Sequence, residues 1–126
     1  MDKKRLNYHI KKINRIIDSD YDHETPDVVR SKFFNKAFTK MVAEMFPNYT
    51  IVTSMGGYCE TSGFIKNGDK YIYYHSDDYR CPIGSSWNKN ILYRTAKDTS
   101  DYYGGSNHFA DLEYLEVCIE KLFKTI

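Results

Sequence analysis

The feature that most restricts the fold of this chain is a change of hydrophobic period at Pro47. Before it, Val29, Phe33, Phe34, Ala37, Phe38, Met41, Val42, Met45 and Phe46 recur at intervals of three and four. That spacing predicts one helix with an apolar stripe wide enough to cover a sheet. After it, "YTIVTSM", "YCETSGFIK" and "DKYIYYHSD" alternate with period two and are separated by Gly56-Gly57 and Asn67-Gly68. Alternation broken by such dipeptides predicts three antiparallel strands joined by two tight hairpins. The stripe and the strands each need an apolar partner, and each supplies the other's.

The remaining segments extend this plan. Leu6, Ile10, Ile13 and Ile17 place an earlier helix at about residues 3–18, with a basic outer side that could stand free as an arm. Thr25, Pro26 and Asp27 suit the start of the second helix as cap, first-turn proline and dipole partner. "ILYRTA" reads as a fourth strand, and Phe109, Leu112, Leu115, Ile119, Leu122 and Phe123 predict a last helix at about 108–124, capped by Ser106 or Asn107. The expected fold is a single α+β domain, residues 1–126, in the order ααβββ(β)α. Its three- or four-stranded antiparallel sheet carries the second and last helices on one face, with Gly63 allowing a close approach.

A two-residue loop at Asn67-Gly68 sets the register: Phe64 opposite Tyr71, Ser62 opposite Tyr73, Glu60 opposite His75 and Tyr58 opposite Asp77. Carried through Gly56-Gly57, the register adds Ile51, Thr53 and Met55 to that aromatic, polar face. Val52, Cys59, Thr61, Gly63, Ile65, Ile72 and Tyr74 then line the opposite, aliphatic face.

Several function classes drop out. No apolar run approaches the roughly twenty residues that span a bilayer, and "MDKKRLNYHIKK" is no secretory signal, so the expectation is a cytoplasmic protein with no membrane partner. Cys59, Cys81 and Cys118 are an odd set without CxxC spacing, read as reduced thiols. The same spacing gives no metal site, since Cys59 and His75 fall on opposite faces. "DSDYDHE" begins like a calcium loop but has His23 at the glycine position and Val29 at the glutamate position, and reads as an acidic linker. "YGGSNHF" lacks the lysine of a phosphate-binding loop and reads as a plain turn. No cofactor is expected.

Three functional readings remain. Twelve tyrosines in 126 residues is heavy use of a side chain that combines large contact area with one hydrogen bond. The first reading is a non-enzymatic protein that occupies a functional surface of a larger protein or ribonucleoprotein through Tyr58, Phe64, Tyr71, Tyr73 and Arg80. In style it is similar to the short anti-defence proteins of phages and mobile elements, anti-CRISPR proteins included, which would make it an inhibitor. The second reading has bases stacking on those rings while Lys3, Lys4, Arg5, Lys11 and Lys12 follow a nucleic-acid backbone. Six cations against one acid over residues 1–16 favour it, but five acids follow at Asp18, Asp20, Asp22, Glu24 and Asp27 and cancel that excess, and the whole chain carries a net charge of only +1. The helix, three-strand, helix order resembles double-stranded-RNA-binding domains, yet "HFADLEYLE" is acidic where those domains carry lysines. The third reading is a small hydrolase with His75 as base, Glu60 or Asp77 orienting it, and Cys81 as nucleophile or metal ligand. A cross-strand Glu60–His75 ion pair explains the same residues without chemistry.

Overall fold

The first helix forms where the sequence places its stripe. In the computed structural model, which describes residues 1–18, 27–53, 59–79 and 89–126, α1 spans Lys3–Ile17. Asp2 caps it by accepting the Arg5 N–H at 2.8 Å. Helix α2 covers Asp27–Met45 and stops immediately before Phe46-Pro47, because proline cannot continue the ladder. The proposed cap at Thr25-Pro26 lies outside the described residues.

Five strands follow: β1 (Thr50–Thr53), β2 (Thr61–Asn67), β3 (Lys70–Ser76), β4 (Asn90–Ala96) and β5 (His108–Asp111). They form one antiparallel sheet in the order β1-β2-β3-β4-β5, and α3 (Leu112–Thr125) closes the chain. The α+β class and the placing of the helices are as the sequence implies. The sheet gains a fifth strand at 108–111, where the periodicity predicts the start of the last helix. Phe109 is consequently a strand residue opposite Leu92, and Asp111 takes the N-cap position in place of Ser106 or Asn107.

The β2–β3 hairpin turns through Gly68-Asp69, with Asn67 opposite Lys70 and only Gly68 at positive φ, +66°, the pattern of a II′ turn. Phe64 therefore pairs with Tyr73 and Ser62 with His75, two residues away from the expected register. A shift of two preserves every facing, so Phe64, Tyr71, Tyr73 and His75 do share a face. For β1 the shift is odd. Ile51 pairs with Ile65 and Val52 with Phe64, which corrects the expected facing: Ile51 points to the helices and Val52 away from them. The tight hairpin at Gly56-Gly57 that implied the other facing falls in 54–58, outside the described residues.

Helices α2 and α3 cover the face of Ile65, Ile72, Tyr74 and Ile91, all of them fully buried. Phe38 stacks on Tyr74 at 6.1 Å between centroids, and Phe34 packs on Tyr79 at 5.0 Å. Gly63 is needed on this face, though not for a helix: a Cβ there would stand 2.6 Å from the Tyr74 hydroxyl and 2.8 Å from the Val52 carbonyl. Cys59 is buried at a left-handed φ of 65° and gives its N–H to Ser31 Oγ at 2.9 Å. Cys59 and Cys118 are both free thiols.

Helix α1 docks on α2 rather than standing free, and its Leu6 and Ile13 join the main core. At one end Arg5 holds Glu44 through Nε (2.9 Å) and Nη2 (2.8 Å), while buried His9 contacts the same carboxylate at 2.7 Å. At the other end Arg30 donates to the Ile17 carbonyl at 2.8 Å. These contacts set the two helices antiparallel. Hydrogen bonds from Arg5 and His9 hold the Glu44 carboxyl well below its ordinary value, at about 2.

Candidate functional site

The sheet face turned away from the helices is built from alternate residues of five strands. One cross-strand row runs Val52, Phe64, Tyr73, Arg94; the next runs Ser62, His75, Leu92, Phe109; a third runs Lys66, Tyr71, Ala96. Among the described residues no helix lies on this side, and its cover is the segment joining β4 to β5.

Asp101 shapes that segment. Its carboxylate accepts the N–H groups of Lys97 (2.9 Å), Tyr103 (3.2 Å) and Gly104 (2.7 Å), and these bonds, led by that from Lys97, lower its pKa. Gly105 adopts φ +74° and passes so close to Thr95 that a Cβ would meet its Oγ1 at 2.5 Å. Arg94, only 3% exposed, ties the segment to the sheet by donating to the carbonyls of Thr95 (3.2 Å) and Asp101 (2.8 Å). Its guanidinium also sits 4.5 Å from the centroid of the Tyr73 ring.

The bend carries Tyr102 over the sheet. Tyr102 meets Phe64 edge-on at 5.6 Å and Tyr73 at 5.9 Å, and Phe64 and Tyr73 lie 5.3 Å apart. Phe64 is thereby sealed at 1% exposure, in a cluster separate from the main core. Burial raises the Tyr73 phenol pKa. What stays open is a strip beside this cluster. Tyr102 is 46% exposed, Phe109 58% and Tyr103 97%, while Tyr73, His75 and Leu92 are partly exposed. The ends of the strip differ in sign: Glu60, Asp77 and Asp111 lie at one, Lys66, Lys70 and Lys97 at the other.

Of the residues expected to meet a protein partner, Tyr71 and Tyr73 are on this face and reachable, and Lys66 stands 5.8 Å from the Tyr71 ring. Phe64 is on the face but sealed. Tyr58 and Arg80 lie outside the described residues. The expected Glu60–His75 contact is present, at 3.3 Å between Oε2 and Nε2, with Asp77 Oδ1 at 3.5 Å from the same nitrogen. The other ring nitrogen faces the Tyr73 hydroxyl at 3.5 Å, and the two rings stack. A hydrolase would require Cys81, which lies outside the described residues. Among the described residues no three His, Cys, Asp or Glu side chains are grouped to hold a metal ion.

The second reading needed the rings and the basic helix to serve one strand of nucleic acid. Lys3, Lys4, Arg5, Lys11 and Lys12 are on α1, which packs with the helices behind the sheet, whereas Tyr71 and Tyr73 point forward. The fold therefore does not bring the two sets together on one surface. Arg5 is in addition engaged by Glu44.

The periodic reading missed Arg94, Leu92, Tyr102 and Phe109. Alternation within "ILYRTA" does carry Leu92, Arg94 and Ala96 to one face, but nothing local says which. Tyr102 is in a glycine-rich turn, and contacts such as that of Arg94 with the Asp101 carbonyl bring it onto the sheet. No family model matches this chain, and neither does any curated protein or solved structure.

Proposed function

We propose that this chain is a non-enzymatic binding protein whose open sheet face occupies a functional surface of a larger protein, in the manner of phage and mobile-element anti-defence inhibitors. One observation carries this reading: Tyr102, Phe109 and the partly exposed Tyr73 and Leu92 form a continuous apolar and aromatic strip on a braced scaffold. Exposed aromatics on a rigid support lose little entropy on binding and act as anchors. Carboxylates at one end and lysines at the other supply the charged rim that sets orientation and on-rate. A protein surface meets both signs at once, whereas a nucleic-acid backbone would be repelled by Glu60, Asp77 and Asp111.

The test is affinity capture from host cells carrying an active nuclease-based defence, with parallel phage-plating assays. Wild-type protein is expected to retain a defined protein partner and to restore plating. Tyr102→Ala with Phe109→Ala should lose both while the chain stays folded, at a melting temperature somewhat lowered because Tyr102 also covers Phe64, since truncating exposed anchors costs binding about 2 kcal/mol or more each. His75→Gln should keep both, because its contacts with Glu60 and Asp77 are structural here. Recovery of nucleic acid alone, or loss of all function in a folded His75→Gln variant, would sink the reading.

A further inference from the structure

The helical side of the molecule carries a second surface, independent of the open sheet face. Helices α1 and α2 lie antiparallel, joined by Arg5 and His9 to Glu44 at one end and by Arg30 to the Ile17 carbonyl at the other, about 18 Å apart along the axis. Each turns its apolar side inward: Leu6 and Ile13 on α1, Phe34, Phe38, Met41 and Met45 on α2. At 100° per residue the outward row of α1 is then Lys4, Tyr8, Lys11 and Arg15, and that of α2 is Phe33, Lys36 and Lys40, with Lys32 at its edge. All eight side chains are exposed. The antiparallel register sets Lys40 level with Tyr8 and Lys36 level with Lys12, so the two rows adjoin.

This surface is uncompensated. Between Lys3 and Ile17 there is no acid, and between Val28 and Met45 there is only Glu44, which Arg5 and His9 already occupy. Among the described residues none of the six outward cations meets a carboxylate.

We propose that this two-helix surface docks the phosphate backbone of a nucleic-acid duplex, without reading its sequence. Rows of cations repeating about every 6 Å along the α2 axis, on two helices about 8–10 Å apart, match a broad, repeating polyanion better than a single phosphate. Stable anchoring in a membrane surface would need an apolar face free to insert beside the cations, and both apolar faces are turned into the core. Stacking of single-stranded bases would need a platform of rings, and only Tyr8 and Phe33 point outward here. A duplex held behind the sheet leaves the open face free for its protein partner.

The measurement is fluorescence anisotropy with short labelled DNA and RNA duplexes across a salt series, with poly-glutamate as competitor. Wild-type protein should bind both duplexes, with affinity falling steeply between about 50 and 200 mM salt. Lys11→Gln, Lys36→Gln and Lys40→Gln together should weaken binding at least about tenfold and flatten the log–log salt slope by roughly three, one per lysine, with the melting temperature unchanged. Lys4→Gln with Arg15→Gln and Lys32→Gln repeats the test on other residues, and Tyr102→Ala with Phe109→Ala should bind duplex as wild type does. No binding at low salt, binding indifferent to both lysine sets, loss through the Tyr102 and Phe109 changes, or displacement by poly-glutamate at equal charge would each overturn the proposal. The last outcome would identify an acidic protein as the occupant.

Discussion

The two faces of the sheet are made from the same strands and nearly the same residue types, yet they are stabilised differently. On the helical face Ile65, Ile72, Tyr74 and Ile91 are covered by two long helices that bring their own phenylalanines and methionines. On the other, Phe64 and Tyr73 are covered by one turn, held by a buried arginine and a carboxylate that gathers three backbone amides. The first arrangement buries a large apolar area and leaves nothing for a ligand. The second seals one ring, leaves its neighbours partly open, and depends on a few polar contacts. An aromatic surface can thus be exposed without being loose, provided that the cover is built from directional bonds rather than area.

The largest expected effect lies on the helical face. Phe38→Ala removes a fully buried ring stacked on Tyr74 and should cost about 3–5 kcal/mol, read from denaturant unfolding. A loss below about 1 kcal/mol would mean that this face is not the main core. On the open face, Arg94→Met keeps apolar length but removes the donors to Thr95 and Asp101, and should cost about 2 kcal/mol. Amide exchange at Tyr103 and Gly104 should accelerate in the same variant. If stability and exchange both stay as in wild type, the turn is held by something other than Arg94, and the contrast between the faces fails.

The smallest stability effect concerns neither face but the clamp that holds α1 behind them. Glu44→Gln should cost about 1 kcal/mol at neutral pH, since its Arg5 partner is largely solvated. The pH dependence has a definite sign. The Glu44 pKa is lowered in the fold from 4.5 to about 2, so the contribution is complete above the ordinary value and is lost as pH falls from about 4.5 toward 2. The gap between wild type and variant should therefore close over that window in urea melts. A gap that widens there would show that the carboxylate is not the stabilising form.

Particular residues mark how far the sequence could be read. The expected pairing of Phe64 with Tyr71 missed by two positions and still put every β2 and β3 side chain on its correct face, because strand facing repeats with period two. The β1 pairing missed by an odd number and reversed Ile51 and Val52. Phe109 fits the helical spacing of Leu112, Leu115 and Ile119 as well as any residue in the stripe, yet its backbone pairs with Leu92. Four residues beside a strand with a free edge gain more from ladder hydrogen bonds than from one further helical turn. The basic residues of α1 were plain in the sequence. Their continuation onto Lys36 and Lys40 was not, since it depends on how two helices lie side by side.

What the sequence determined by itself is whatever depends on local periodicity: three helices with one apolar side each, alternating strands, a tight reversal next to Asn67, and the excess of tyrosine. These follow from the 3.6- and 2-residue repeats, which any short window of the chain displays. The tertiary structure decided that Ile51 rather than Val52 faces the helices, that α1 folds back to meet Glu44, and that Arg94 and Asp101 draw Tyr102 across Phe64. Those outcomes turn on contacts between residues far apart in the chain, where a single bond such as Arg5 to Glu44 selects among arrangements that the local pattern permits equally.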